Sequence, residues 1–203
     1  MLFEPLDHIL GRRSTVRLLR ALGPLDRPVS GREAARLAGL SHRAITALDE
    51  LAALGVVIRR EAAGQHLYRF NREHALADAI QHVFAEEERR SSLILERIRS
   101  VAEEAGALYA GVFGSAARKE DRPGSDLDVF MVVGHEDAKE RSRDAMILAL
   151  EELQEDHGVR PTPVVVALAE AQRQVREGSP LLRDVLREAR RVHGGPLEEV
   201  LSG

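Results

Sequence analysis

Residues 111–133 read GVFGSAARKEDRPGSDLDVFMVV, and this stretch decides the fold of the second half of the chain. It grows out of an apolar run, Leu108 to Phe113, that predicts a strand. Gly114-Ser115 follows, and Ala116-Ala117-Arg118-Lys119 can start a short helix. Glycine allows a tight turn with close backbone approach, and a serine there can cap the helix and touch an anion at its N-terminus. Arg122-Pro123-Gly124 predicts a turn, after which Ser125-Asp126-Leu127-Asp128 enters a second strand through Val129-Phe130-Met131-Val132-Val133. Side chains alternate along a strand, so Asp126 and Asp128 share a face and Leu127 takes the other. Two carboxylates that close repel, and one takes up a proton unless a cation sits between them. A divalent metal with oxygen ligands resolves the conflict. The segment therefore offers an anion seat and a cation seat on neighbouring strands.

The pairing of FGSAAR with GSDLDVFMV resembles the nucleotidyltransferase superfamily related to DNA polymerase β, and most closely its minimal prokaryotic domains. A lone Gly-Ser or a lone Asp-x-Asp is weak; both at this spacing, between two apolar strands, are specific. The resemblance implies a mixed sheet with flanking helices over 107–193. It implies that Gly114 and Ser115 contact the triphosphate of ATP or another NTP. Asp126 and Asp128 would hold Mg²⁺ or Mn²⁺ and carry any catalysis, and Arg118 and Ser125 would support the phosphate site. Active members usually carry a third carboxylate on a later strand. Here that strand is expected at Pro161–Leu168, which holds no acid, and Thr162 stands near the expected place. Glu155, Asp156 and Glu170 are not well placed by spacing. The prolines around Thr162 predict an edge strand, because proline cannot donate to a ladder. Ala169 to His193 reads as two helices, the second opened by Ser179-Pro180, and 194–203 as a frayed tail.

The first third is built differently. Leu6, Ile9, Leu10, Val16, Leu19 and Leu22 recur at helical spacing up to Gly23-Pro24. Ser30-Gly31-Arg32-Glu33 fits a capping box ahead of a short helix stopped by Gly39. Ser41 can cap the next helix, which carries Ile45, Leu48 and Leu51 inward and halts at Gly55. Val56–Glu61 and His66–Phe70 then predict two strands around a turn at 62–65. Helix, tight turn, helix and basic hairpin, in that order, resemble a winged helix-turn-helix DNA-binding domain over residues 1–72. By that resemblance the helix from Ser41 to Leu54 enters the major groove of double-stranded DNA and presents His42, Arg43 and Thr46. Arg59, Arg60, Gln65 and His66 on the hairpin would meet backbone or minor groove. The alternative is a domain of the same shape used for protein contacts.

Charge divides along the same line. Residues 1–72 hold 12 Arg against 7 Asp+Glu, a net +5, and 73–203 hold 17 Lys+Arg against 26 Asp+Glu, a net −9, within a total of −4. Either the first third alone meets a polyanion, or charge simply drifts between domains. Between them, 73–106 predicts a helical connector with an apolar stripe at Leu76, Ile80, Val83, Phe84, Ile94, Ile98, Val101 and Ala105. As one helix, 74–105 would be about 48 Å long. The stripe needs cover, from a second copy in a homodimer or from within the chain.

The expectation is thus an α+β chain of two domains. With 203 residues, 44% hydrophobic and 31% charged, it reads as soluble and globular. The absence of cysteine fits a cytoplasmic protein, and neither a membrane span nor a signal peptide is expected. Three functions are open: a DNA-binding regulator that holds Mg-nucleotide, an active nucleotidyltransferase with a protein, RNA or small-molecule acceptor, and an antitoxin-type partner of a toxin protein.

Overall fold

A computed structural model describes residues 5–41, 44–62, 64–118, 120 and 124–202, with the side chains of 5, 8 and 152–157 left aside. The chain divides into two compact units, Met1–Glu88 and Arg89–Gly203. It is a mixed α and β protein with one sheet of three strands and one of four.

The first unit begins with helices α1 (Pro5–Ile9), α2 (Arg13–Leu22), α3 (Gly31–Leu37) and α4 (Ile45–Ala53). Short strand β1 (Val29–Ser30) and the hairpin β2 (Val57–Ala62) and β3 (Gln65–Phe70) form an antiparallel sheet in the order β1-β3-β2. Leu18, Leu19, Leu22, Leu48, Leu51, Tyr68 and Phe70 close its core. Ser30 caps α3 by accepting the Glu33 N–H at 3.2 Å, but the Glu33 carboxylate turns to Arg27 at 2.6 Å instead of reaching back, so half of the capping box forms. Helix α4 runs from Ile45, with no side-chain capping bond at Ala44. Ser41 contributes its carbonyl to the Ala44 N–H.

Helix α5 (Ala77–Glu104) runs through the division between the units. Its stripe is covered by two cores of the same chain. Ile80 is buried with the first unit's core, and Ile94, Ile98 and Val101 with the second's. Val83 stays 54% exposed.

The second unit is a sheet of order β6-β5-β4-β7, made of β4 (Tyr109–Phe113), β5 (Asp126–Val133), β6 (Arg160–Ala167) and β7 (Arg190–Gly194). β5 and β6 run parallel, joined by α7 (Lys139–His157), and the other pairs are antiparallel. Val129, Met131 and Val133 face α5 and α7, with Ile98 and Met146 beneath them. Phe130 and Val132 face the other layer, α8 (Leu168–Arg176), α9 (Pro180–Glu188) and α10 (Leu197–Ser202). β6 is an edge strand, as its prolines imply.

The C-terminus differs from the expectation. The two helices are followed by strand β7, and the predicted frayed tail holds α10, whose Leu197 is 4% exposed. β7 is short and Arg-rich, with a single buried position at Val192, so it offers no alternating pattern to read. Gly194 has φ +82°, and a Cβ there would overlap the Leu108 carbonyl. Its lack of a side chain lets the two backbones meet.

Candidate functional site

β4 ends at Phe113, which stands opposite Asp128 on β5. The chain then turns at once into α6 (Gly114–Ala117). Gly114 has φ +69°, and a Cβ on it would overlap Asp128 Oδ2 and lie 3.3 Å from Asp128 Cγ. Any other residue would be strained twice, by its backbone and by the carboxylate. The Gly-Ser turn and the second aspartate are therefore one piece of geometry. Ser115 is half-buried in the turn, and its carbonyl accepts the Glu120 N–H at 2.9 Å. Ser125 sits immediately before β5.

Asp126 and Asp128 lie on the face of β5 that continues into buried Phe130 and Val132. Asp126 is exposed and Asp128 half-buried. Burial pushes the Asp128 carboxyl above the usual carboxylate range, the neighbouring Asp126 charge adds to this, and Arg118 opposes it. Among the described residues no group of three or more His, Cys, Asp or Glu is placed to hold a metal. Two carboxylates still fit an ion such as Mg²⁺, which takes one or two from the protein and completes its shell with water and phosphate oxygens.

On the parallel neighbour β6, Thr162 is in register with Asp128, and Arg160 with Asp126. Partners in register project to the same face, so Thr162 stands beside Asp128 with an exposed hydroxyl, where a third acid would otherwise be sought. Glu170 is ruled out for that role. It lies past the far end of β6, where its carboxylate binds Lys139 at 2.6 Å and is held below the usual range by that bond. Glu155 and Asp156 have side chains outside those described. Arg160 was not expected, although it stands two residues before Thr162 and so shares its face.

Arg118 does not wait unpaired. Its Nη1 donates to Glu188 on α9 at 2.6 Å and its Nε to Glu120 at 3.0 Å. The Arg118 hydrogen bond draws the Glu188 carboxyl below the usual range. Glu188 is not visible as a site residue in sequence because it lies 70 positions from Arg118.

The first unit's candidates are split by the hairpin register. Arg59 and His66 share the face of Val57, Tyr68 and Phe70, which is turned to the core, whereas Arg60 and Gln65 share the other face. Arg69 joins Arg60 and Gln65 there, opposite Ile58. Asp49 on α4 accepts from Arg59 at 2.9 Å and from the Tyr68 hydroxyl at 3.0 Å, so Arg59 is tied back onto the helix. Among the described residues Arg60 and Arg69 form no ion pair. Thr46 is exposed on α4, and His42 and Arg43 lie outside the described residues.

No helix of the described residues is long and apolar enough to cross a membrane. Among curated proteins none matches the chain. A solved structure described as a crystal structure of a toxin–antitoxin with AMP-PNP is 12% identical over 53% of this chain and 81% of that one, with a TM-score of 0.35. Residues 94–193 match the family model of the nucleotidyltransferase domain. The Gly114-Ser115 turn, Asp126, Asp128, Thr162 and Glu188 all fall inside that match.

Proposed function

We propose that this chain is a DNA-binding, regulator-type protein whose second unit holds a nucleoside triphosphate together with Mg²⁺ or Mn²⁺. The observation that carries the nucleotide reading is the packing of Gly114 against Asp128, which makes the phosphate turn and the metal-binding strand one structure. Asp126 and Asp128 would hold the ion, which supplies the positive charge that a triphosphate needs beside two carboxylates. Gly114 and Ser115 would face the phosphates, with Ser125 and Arg118 at their flank. Thr162 in register with Asp128 favours holding over transfer. A threonine hydroxyl is a poor base, and losing a positioned base reduces a rate by roughly 10²–10⁴.

The DNA reading rests on the net +5 of residues 1–72 and on the helix-turn-helix order with its hairpin. In this reading α4 enters the major groove, and Arg60, Gln65 and Arg69 approach the backbone from the outer face of the hairpin. A gel shift of the full chain against a genomic fragment library at low salt is expected to show binding that weakens steeply as salt rises. No shift on any fragment at low salt removes the DNA reading and leaves the nucleotide reading standing.

A second reading, an active nucleotidyltransferase, is favoured by the domain match over 94–193. Labelled NTP with Mg²⁺ or Mn²⁺ and cell extract tests it. Label transfer that disappears in Asp126→Asn and Asp128→Asn would place transfer ahead of holding.

A further inference from the structure

We infer that Glu188 is a specificity-determining residue of the nucleotide site: its contact with Arg118 makes the site accept a polyphosphate only together with a divalent cation. The inference rests on the nucleotide-binding reading above. Arg118 follows directly on α6, the four-residue helix that opens with Gly114 against Asp128, so its guanidinium belongs to the turn beside the carboxylate pair. It meets two more acids there, Glu188 at 2.6 Å and Glu120 at 3.0 Å.

The two acids differ in how firmly they are placed. The Glu120 side chain is 67% exposed and the Glu188 side chain 12%. Glu188 ends α9, which lies against α6 and its Gly-Ser turn. A partly buried carboxylate on a packed helix is held in place; an exposed one on a loop swings away and is screened by solvent. Arg187 also approaches Glu188, at 3.4 Å, but it is shared with Asp184 at 2.8 Å and does not release Glu188 from Arg118.

Among the described residues around the Gly-Ser turn, then, the acids Asp126, Asp128, Glu120 and Glu188 outnumber the cations Arg118 and Arg160, the latter in register with Asp126. A bare phosphate would have to take the guanidinium from Glu188 and would meet an excess of negative charge. A phosphate bridged to a cation brings its own neutralising charge to Asp126 and Asp128 and leaves Glu188 in place. The site so arranged discriminates metal-bound nucleoside triphosphate from metal-free nucleotide and inorganic phosphate.

The test is calorimetric titration of the full chain with ATP, once in Mg²⁺ and once in EDTA. The wild type is expected to bind ATP with Mg²⁺ and far more weakly in EDTA. Glu188→Gln keeps the length and an acceptor oxygen but removes the charge. It is expected to narrow the gap on the order of tenfold, mainly by tightening metal-free ATP, as removal of a unit charge a few ångströms from the phosphates would. Glu188→Asp is expected to restore the gap, and Glu120→Gln to leave it nearly intact. If Glu188→Gln does not give a normal melt, Glu188→Met carries the same expectation. A Mg²⁺-to-EDTA ratio unchanged in the uncharged variants overturns the inference. So does weaker binding in both conditions, which would make Glu188 a support for Arg118 instead. A wild type that binds ATP in neither condition sinks the nucleotide reading itself.

Discussion

At Asp128 the fold asks for two opposed things: a half-buried place beneath the Gly114 turn and a charge beside Asp126. Its carboxyl therefore holds a proton more tightly in the folded chain than in the unfolded one. The sign follows from linkage. As pH rises past the ordinary aspartate value of about 3.9, the unfolded chain ionises first, so the ionised Asp128 lowers stability at neutral pH and not at low pH. Asp128→Asn is expected to raise the melting temperature at neutral pH by an amount on the order of 1 °C, with the gain fading towards pH 3. Saturating Mg²⁺ with ATP should reverse the order, stabilising the wild type by about 2.7 kcal/mol at a hundredfold excess over Kd and leaving the variant little changed. Melts across pH with and without ligand check both halves. A variant that melts lower than wild type at neutral pH without ligand would mean that the carboxylate is not under this burden. The Gly-Ser and Asp-x-Asp residues were legible in sequence because their chemistry is local. The Gly114–Asp128 contact was not, because it depends on strand register.

At the scale of elements, the β2–β3 hairpin shows what a linear reading misses. Four polar residues at its strands and turn looked equivalent, yet pairing of Arg60 with Leu67 and Arg59 with Tyr68 sends neighbouring arginines to opposite faces. Arg69 belongs to the outer set only through its pairing with Ile58, which no linear pattern shows. Arg60→Ala and Arg69→Ala are each expected to weaken DNA binding across sequences alike and to reduce the salt slope by about one. Arg59→Ala should instead affect Asp49 and Tyr68, with little change in stability, as for other exposed pairs. Fluorescence anisotropy against salt separates the two; a slope lowered by Arg59→Ala and not by Arg60→Ala would reverse the assignment. The edge strand β6 was foreseeable from Pro161 and Pro163. β7 and α10 were not, since their apolar positions are few and their places are fixed by β4 and Gly194.

For the whole molecule, the proposed function assigns its two ligands to two units with separate cores. Leu18, Leu19 and Phe70 belong to one core, Val129, Met131 and Met146 to another, and the net +5 of residues 1–72 lies in the first unit, where Glu73, Asp78, Glu86, Glu87 and Glu88 offset it. Helix α5 contributes Ile80 to the first core and Ile94, Ile98 and Val101 to the second. Chains of several domains commonly unfold in more than one step. Differential scanning calorimetry of the full chain is expected to resolve two transitions. A specific duplex should raise the transition of the first unit, and ATP with Mg²⁺ that of the second, each by RT ln(1 + [L]/Kd) at its own site. Asp126→Asn with Asp128→Asn should abolish the nucleotide shift and leave the duplex shift in place. If one ligand moves both transitions by equal amounts, the assignment of one ligand to each unit fails. If the duplex moves only the second, the basic third is not the part that meets DNA.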